Sequence, residues 1–253
     1  MIADIHTHLL PGVDDGAADL DEALALAETA VAEGVSWLAL TPHHLNGFDN
    51  DAESVLRAVE SFRAELARRG IALEVAAGQE IRLLQSLLER LDAGELLPIG
   101  GSRYWLIELP HAYVPDYTDD LIHELLVAGR IPVIAHPERN FELAHHPERL
   151  VGWVKAGAVG QATTHSLVGR FGEQTRLLTL EWCAQGLIHL FASDAHHVRG
   201  RAFGWTECLR ELEKAFGDEA VRRCLVNAAR VRDDAEPAFE RIAEGPAWRR
   251  GFS

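Results

Sequence analysis

The 253-residue chain is poor in lysine: of its 24 basic residues only Lys155 and Lys214 are lysines. It holds 3 cysteines, Cys183, Cys208 and Cys224, far apart and without a CxxC pair. A scattered, odd-numbered set supports neither a disulfide framework nor a thiolate zinc site. No stretch approaches the roughly 18 consecutive apolar residues of a membrane-spanning helix. Nor does the chain open with a basic segment, an apolar run and a small-residue cleavage site, so a cytoplasmic protein is expected. The formal charge is -15, which excludes the basic face of a nucleic-acid binder, although bound cations reverse such a field locally. No GxGxxG follows the first apolar run, which removes the usual support for a dinucleotide fold. Linkers, repeats and low-complexity segments are also missing. One domain over residues 1–253 is expected, with a polar, loosely attached tail from about Arg232.

What is present is the composition of a globular protein, 47% apolar and 25% charged. Seven short β-branched or apolar runs recur: Ile2–Ile5, Val35–Leu40, Ile71–Ala77, Tyr104–Leu109, Ile131–Ala135, Ala158–Ala162 and Leu187–Ala192. Between them apolar residues return at three- and four-residue steps, as in Val55, Val59, Phe62 and Leu66, which predicts helices. Gly34, Gly70, Gly129, Gly157 and Gly186 stand where helices would end in a left-handed cap, and Asp19 with Glu22 resembles a capping box. Strict alternation of strand and helix predicts parallel strands, either as an open doubly wound sheet or as a closed barrel, with the barrel favoured.

Ionisable residues follow the strands. His6 and His8 come after the first, His43 and His44 after the second, Glu80 after the third, Glu108 ends the fourth and His136 follows the fifth. The sixth leads to Gln161 and His165, the seventh to Asp194 and His196. A barrel builds its site at these carboxyl ends. One such histidine is ordinarily just solvated; the strand ends taken together point to a site. Glu108 and Asp194 lie in apolar runs where an unpaired carboxylate is costly, and with few arginines in these runs a metal is the expected partner. Residues i and i+2 of an extended segment point the same way, so His6 with His8, and Asp194 with His196, can grasp shared ions. A nitrogen and oxygen donor set without thiolate suits manganese, iron, zinc or magnesium, and the chemistry it predicts is metal-assisted hydrolysis of a phosphorus centre.

The ordered motifs DIHTHLLPGVDDG, TPHH, GQEI, IELP, AHPERN and SDAHH resemble those of the polymerase and histidinol phosphatase (PHP) superfamily. With PGVDDG, AHPERN and SLVGRFG the chain is most similar to the bacterial manganese-dependent protein-tyrosine phosphatase branch associated with capsular and exopolysaccharide synthesis. The resemblance implies a distorted seven-stranded (β/α)7 TIM-like barrel carrying three divalent ions, manganese first among them. It implies that His6, His8, Glu80 and Asp194 hold one ion, and that Glu80 bridges to a second held by Glu108 and His136. Asp14, His43 and His196 would hold the third. Arg139 would bind phosphate, beside His136 and Asp194 as catalytic groups, with His165 and Arg201 as further substrate contacts. The implied substrate is a tyrosine-phosphorylated protein such as a bacterial tyrosine kinase.

A phenolic leaving group, with a pKa near 10, needs little general-acid help; Asp15 and His197 are the candidates if one is used. Four rival readings are weighed. Cys224 and Arg230 match the C-x5-R of cysteine phosphatases, but their segment reads as an amphipathic helix rather than a phosphate-cradling loop. An amidohydrolase would bridge its metals with a carbamylated lysine, and both lysines fall in predicted helices. Histidinol phosphatase shares the metal ligands. A non-catalytic metal-binding regulator of polysaccharide assembly would not need an anion-binding arginine beside open metals.

Overall fold

The computed structural model describes residues 1–236 and 239–243. Strand β1 (Ile2–Thr7) leads through α1 (Leu20–Ala32) to β2 (Val35–Leu40), which continues past Thr41 and Pro42 into the hairpin β3 (His43–Leu45) and β4 (Phe48–Asp49). Helix α2 (Ala52–Arg69) is followed by β5 (Glu74–Ala77), β6 (Glu80–Arg82) and α3 (Leu87–Asp92). The second half runs β7 (Tyr104–Glu108), α4 (Thr118–Val127), β8 (Ile131–Ala135), α5 (Phe141–His145), α6 (Glu148–Ala156) and β9 (Val159–Thr163). It finishes with α7 (Thr164–Leu167), α8 (Glu173–Gln185), β10 (Leu190–Ala192), α9 (Trp205–Phe216) and α10 (Asp218–Arg232).

The strands are parallel apart from the β3–β4 hairpin, but among the described residues they form two sheets and not one closed barrel. One is β1-β2-β5; the other is β10-β9-β8-β7-β6-β3-β4. The expected second and third strands end at Leu40 and Ala77, and each is followed after a two-residue break by a further short strand, β3 and β6, that was not expected. Pro42 has no amide to give to a ladder, and Gly78 sits so close to Thr41 and Ile99 that a Cβ there would lie 3.1 Å from the Thr41 methyl. The sheets stay linked across these breaks: Gly78 N–H donates to Leu40 O at 3.0 Å and Glu80 N–H to Pro42 O at 3.2 Å. At the far edge Asp194 N–H donates to His6 O at 2.9 Å and His8 N–H to Ala195 O at 2.8 Å.

Side-chain alternation explains why these sheets end in polar groups. Tyr104 and Leu106 of β7, Val159 of β9, and Leu190 and Ala192 of β10 share one apolar cluster with Trp37 and Ala39 of β2. Two residues further along the same faces come Glu108, Gln161, Asp194 and Thr41, all buried. A single face therefore passes from core to site at the carboxyl ends. His136 breaks this parity after Val133 and Ala135, and its φ of 33° lies in the left-handed region. Asp194 has φ of 53°. Non-glycine residues held there carry strain of about 1–3 kcal/mol each, retained where the surroundings fix the side chain.

The helices close as their sequences foretell. Asp51 accepts from Ser54 N–H at the start of α2, whose Val55, Val59, Phe62 and Leu66 are buried, and Gly70 ends it at φ 69°. Asp19 accepts from Glu22 N–H at 2.9 Å, but the Glu22 carboxylate takes the Ala18 N–H instead of closing the box on Asp19. The expected loose tail is corrected in part. Tyr104 OH donates to Ala235 O at 2.6 Å, Asn227 and Glu240 exchange hydrogen bonds, and Ile242 and Ala243 are buried. The rest of that tail, 237–238 and 244–253, lies outside the described residues.

His189, just ahead of β10, joins the halves. Its Nδ1 accepts from Gly160 N–H at 3.0 Å, and its carbonyl accepts from Asn227 at 2.7 Å. Burial, with Arg241 nearby, lowers its pKa to about 4. The unfolded chain therefore binds a proton more readily than the folded one. Stability from this residue is complete above an unfolded pKa of about 6.5 and is lost as pH falls toward 4, at roughly 1.4 kcal/mol per pH unit. His189→Asn should thus be less stable than the parent at pH 7.5 in urea unfolding, with the gap narrowing by about 1 kcal/mol or more at pH 5.5. A gap independent of pH would remove His189 from the acid sensitivity of the fold.

Candidate metal centre

The polar ends of the strands converge on four linked groups of donors. These are His8, Asp15, His43 and His196; His6, His8 and Asp194; His6, Glu80 and His136; and His43, Glu80 and Glu108, with the donor atoms in each group all within 4.8 Å of one another. His6, His8, His43 and Glu80 each serve two groups, so the cluster is continuous. Glu80 is its hinge: Oε1 lies 2.8 Å from His136 Nε2, and Oε2 lies 3.3 Å from His6 Nε2, 3.4 Å from His8 Nε2 and 2.9 Å from His43 Nδ1.

Supporting groups aim the imidazoles. Gln161 Oε1 accepts from His6 Nδ1 at 2.9 Å, and Asp14 Oδ2 accepts from His8 Nδ1 at 2.7 Å, leaving both Nε2 atoms turned inward and 3.2 Å apart. The His196 Nδ1 donates to the Asp194 carbonyl at 2.9 Å, which directs its Nε2 toward Asp15 at 3.4 Å. Partners of this kind set the tautomer and orientation of a metal-ligating histidine.

Burial sharpens the electrostatics. It opposes charge on His8, yet Asp14 and Glu80 hold that imidazole up at about 9. Burial and the neighbouring Glu80 push the Glu108 carboxyl above the usual range. Burial and Arg139 bring His136 down to about 4. Five atoms of the cluster, His43 Nδ1, Glu80 Oε2, Glu108 Oε2, Asp194 Oδ1 and His196 Nε2, are buried with no hydrogen-bond partner. Unpartnered carboxylate oxygens in such a setting cost several kcal/mol unless a cation faces them. Divalent cations therefore fit the residues present, and the donors are nitrogen and oxygen without thiolate.

Eight of the nine expected ligands, His6, His8, His43, Glu80, Glu108, His136, Asp194 and His196, come together here. The ninth does not. Asp14 is committed to His8 Nδ1, to Gly16 N–H at 3.0 Å and to His43 N–H at 3.0 Å. Its neighbour Asp15, offered from the sequence only as an acid, faces His43 Nε2 at 3.3 Å and is the carboxylate grouped with His8, His43 and His196. Adjacent residues on a turn point apart, and only the path of the turn decides which enters the cluster. Glu108 and Asp194, for which metal was the expected partner, also meet arginines from outside their apolar runs. Arg82 Nε lies 3.4 Å from Glu108 Oε2, while Arg139, at 2.8 Å, and Arg201 both contact Asp194 Oδ2.

Among the remaining candidates, His165 is buried but belongs to none of the four groups, its ring set edge-on to Phe171 with centroids 6.1 Å apart. His197 is tied to Glu22 at 3.3 Å on the rim. Cys224 is buried within α10, and burial raises its thiol to about 12, so it supplies no thiolate nucleophile. Lys155 and Lys214 lie in α6 and α9, away from the cluster. Gln161 was visible as a strand-end residue, but its duty toward His6 spans 155 positions of sequence and had no local signal.

The fold and the site define a mixed α/β protein carrying a candidate multinuclear metal centre of histidines and carboxylates, flanked by Arg82, Arg139 and Arg201. The chain belongs to the capsular polysaccharide synthesis family CpsB/CapC, whose model matches residues 2–232. It is 42% identical over 226 residues to the tyrosine-protein phosphatase YwqE of Bacillus subtilis, covering 89% of each chain. It is 38% identical over 222 residues to CapC of Staphylococcus aureus, covering 87% of this chain and 84% of that one. It also superposes with a TM-score of 0.93 and 38% identity on a structure from the work on YwqE of Bacillus subtilis and CpsB of Streptococcus pneumoniae, described as metal-dependent tyrosine phosphatases; 97% of this chain and 99% of the other are covered. No described helix is long and apolar enough to cross a membrane.

Proposed function

We propose that this protein is a metal-dependent protein-tyrosine phosphatase, one domain over residues 1–253 built as a distorted (β/α)7 barrel, that works in the cytoplasm on a tyrosine-phosphorylated kinase of capsular or exopolysaccharide synthesis. The observation that carries the reading is the pairing of the buried histidine and carboxylate cluster with two partly exposed arginines at its edge.

Three divalent cations, manganese first, would be held by His6, His8, Glu80 and Asp194, by Glu80, Glu108 and His136, and by Asp15, His43 and His196. Bound there, they would supply Lewis acidity, easing loss of a proton from water and neutralising phosphoryl charge. The chain's own part is orientation and charge. Gln161 and Asp14 fix the rings of His6 and His8. Arg139 and Arg201 present forked donors at the margin of the cluster, which suits the equatorial oxygens of a phosphoryl group. A tyrosine phenolate leaves without a strongly placed acid, which fits a site where Asp15 faces His43 and His196 and His197 is tied to Glu22.

The test is turnover by manganese-loaded protein of a phosphotyrosyl peptide against histidinol phosphate. Preference for the peptide is expected, with Cys224→Ser as active as the parent. Preference for histidinol phosphate would overturn the substrate, loss of activity in Cys224→Ser the metal mechanism, and no turnover of either the enzyme.

A further inference from the structure

The cluster is built mainly of imidazoles, carboxylates and guanidinium groups, which recognise phosphate and metal but not the aryl half of phosphotyrosine. Among the described residues Phe48 stacks on His43 with centroids 6.0 Å apart, and a second, more exposed ring lies against the anion-binding edge. Phe171 lies in the loop between α7 and α8 with the Arg139 Cζ 4.7 Å from its ring centroid, and it is 37% exposed.

The setting of this ring differs from that of a structural contact. The other arginine–ring contact among the described residues, Arg149 over Trp153 at 5.6 Å, uses an indole that is only 4% exposed and is anchored by a hydrogen bond to Asp119. Phe171 is instead displayed. Its loop is bracketed by Gly169 at φ 80° and Gly172 at φ 96°, conformations that favour glycine, and the Phe171 carbonyl accepts from Thr175 Oγ1 at 3.2 Å in the first turn of α8. Behind it the buried His165 packs edge-on, so the ring has a support on one side and solvent on another. Gly169, Phe171 and Gly172 belong to SLVGRFG, a motif to which the metal centre assigns no work.

We infer that Phe171 is a specificity-determining residue that contacts the aromatic ring of the substrate once Arg139 holds its phosphate. The inference rests on the phosphatase reading above and on Arg139 as an anion contact. A phosphate oxygen bonded to a guanidinium lies about 3 Å from its nitrogens, and the aryl ring follows one ester oxygen further on. With Phe171 already packed on the same guanidinium at 4.7 Å, a substrate ring turned toward it can approach to the roughly 4.5–7 Å centroid spacing at which aromatic pairs attract. A cleft of about 450 Å³ opens beside Arg139, lined also by Phe141, Ala144, Gln174, Thr175 and Leu178, and gives the rest of the tyrosyl residue room to leave the site.

A residue that merely steadied Arg139 would affect phosphate itself. The experiment therefore compares phenyl phosphate as substrate with inorganic phosphate as competitive inhibitor, using manganese-loaded parent, Phe171→Ala and Phe171→Tyr. Expected are a fall of about fivefold to tenfold in kcat/KM for phenyl phosphate in Phe171→Ala, a phosphate inhibition constant within about twofold of the parent, and near-parental values for Phe171→Tyr. A parallel weakening of phosphate inhibition would show that Phe171 acts through Arg139 and overturn the inference, as would an unchanged kcat/KM. Failure of the parent to hydrolyse any aryl phosphate is a separate result that overturns the phosphatase reading along with it.

Discussion

Glu80→Gln should lower turnover of a phosphotyrosyl peptide by about a thousandfold or more, with fewer metal ions retained per chain by elemental analysis after gel filtration. The magnitude follows from position. One carboxylate meets His6, His8, His43 and His136, and it belongs to two of the four donor groups. Glutamine keeps the volume and one acceptor oxygen but removes the charge and the second oxygen, so groups linked through Glu80 lose their shared anion. A single preorganised electrostatic contact at a reacting centre is worth on the order of 10²–10³ in rate, and Glu80 supports more than one. The metal-free fold should respond differently. Glu80 is 1% exposed, and deleting a buried charge of this kind also deletes its desolvation penalty. Unfolding without metal should shift far less than activity does, whereas a collapse in stability matching the loss of activity would reassign Glu80 to the fold.

Arg139→Ala carries the second large effect, about 10²–10³-fold in kcat/KM, or about 3–4 kcal/mol of transition-state stabilisation. Arg139 is partly exposed and stacked on Phe171, with one arm on Asp194 Oδ2, so its position is set from two sides before any anion arrives. Arg201 contacts the same oxygen, and Asp194 therefore keeps a cationic neighbour in the variant. For that reason the metal content of Arg139→Ala should match the parent. Arg139→Lys should recover little, because an ammonium offers a point charge where a planar fork meets two oxygens. Equal activity of the lysine variant and the parent would argue that only charge matters at this position, and loss of metal in Arg139→Ala would place the arginine in the metal site.

The legible part of the site was the part written in local order. His6 and His8 at i and i+2, Glu108 at the end of an apolar run, and Asp194 in FASDAHH all announced themselves, because a strand turns alternate residues to one face and carries them to one end. Asp14 and Asp15 were not separable in that way. Both sit on one turn, and the resemblance pointed to Asp14. In the folded chain the turn directs Asp14 to His8, Gly16 and His43 N–H, while Asp15 faces His43 and His196. Arg139 and Arg201 were expected at the site from the resemblance, but their contact with Asp194 had no local signal. Arg139 follows a left-handed residue, His136, and Arg201 comes from the segment after β10, so neither lies in the apolar run of the carboxylate it meets.

The sheets divide along the same line. The seven apolar runs and their intervening helices follow from composition and periodicity, and the glycines after helices α1, α2, α4, α6 and α8 all adopt positive φ. That short strands would follow the breaks at Pro42 and Gly78, and so make two linked sheets, depended on what each meets across the fold. By itself the sequence determined the kind of element, the ends at which polar residues gather and the donor types available, since these arise from neighbours within a few residues. Only the tertiary structure decided which carboxylate enters the cluster, which arginine faces it and which ring stands beside that arginine. Such choices depend on distances between segments up to 188 residues apart, as between His6 and Asp194, and are set by packing rather than by local preference.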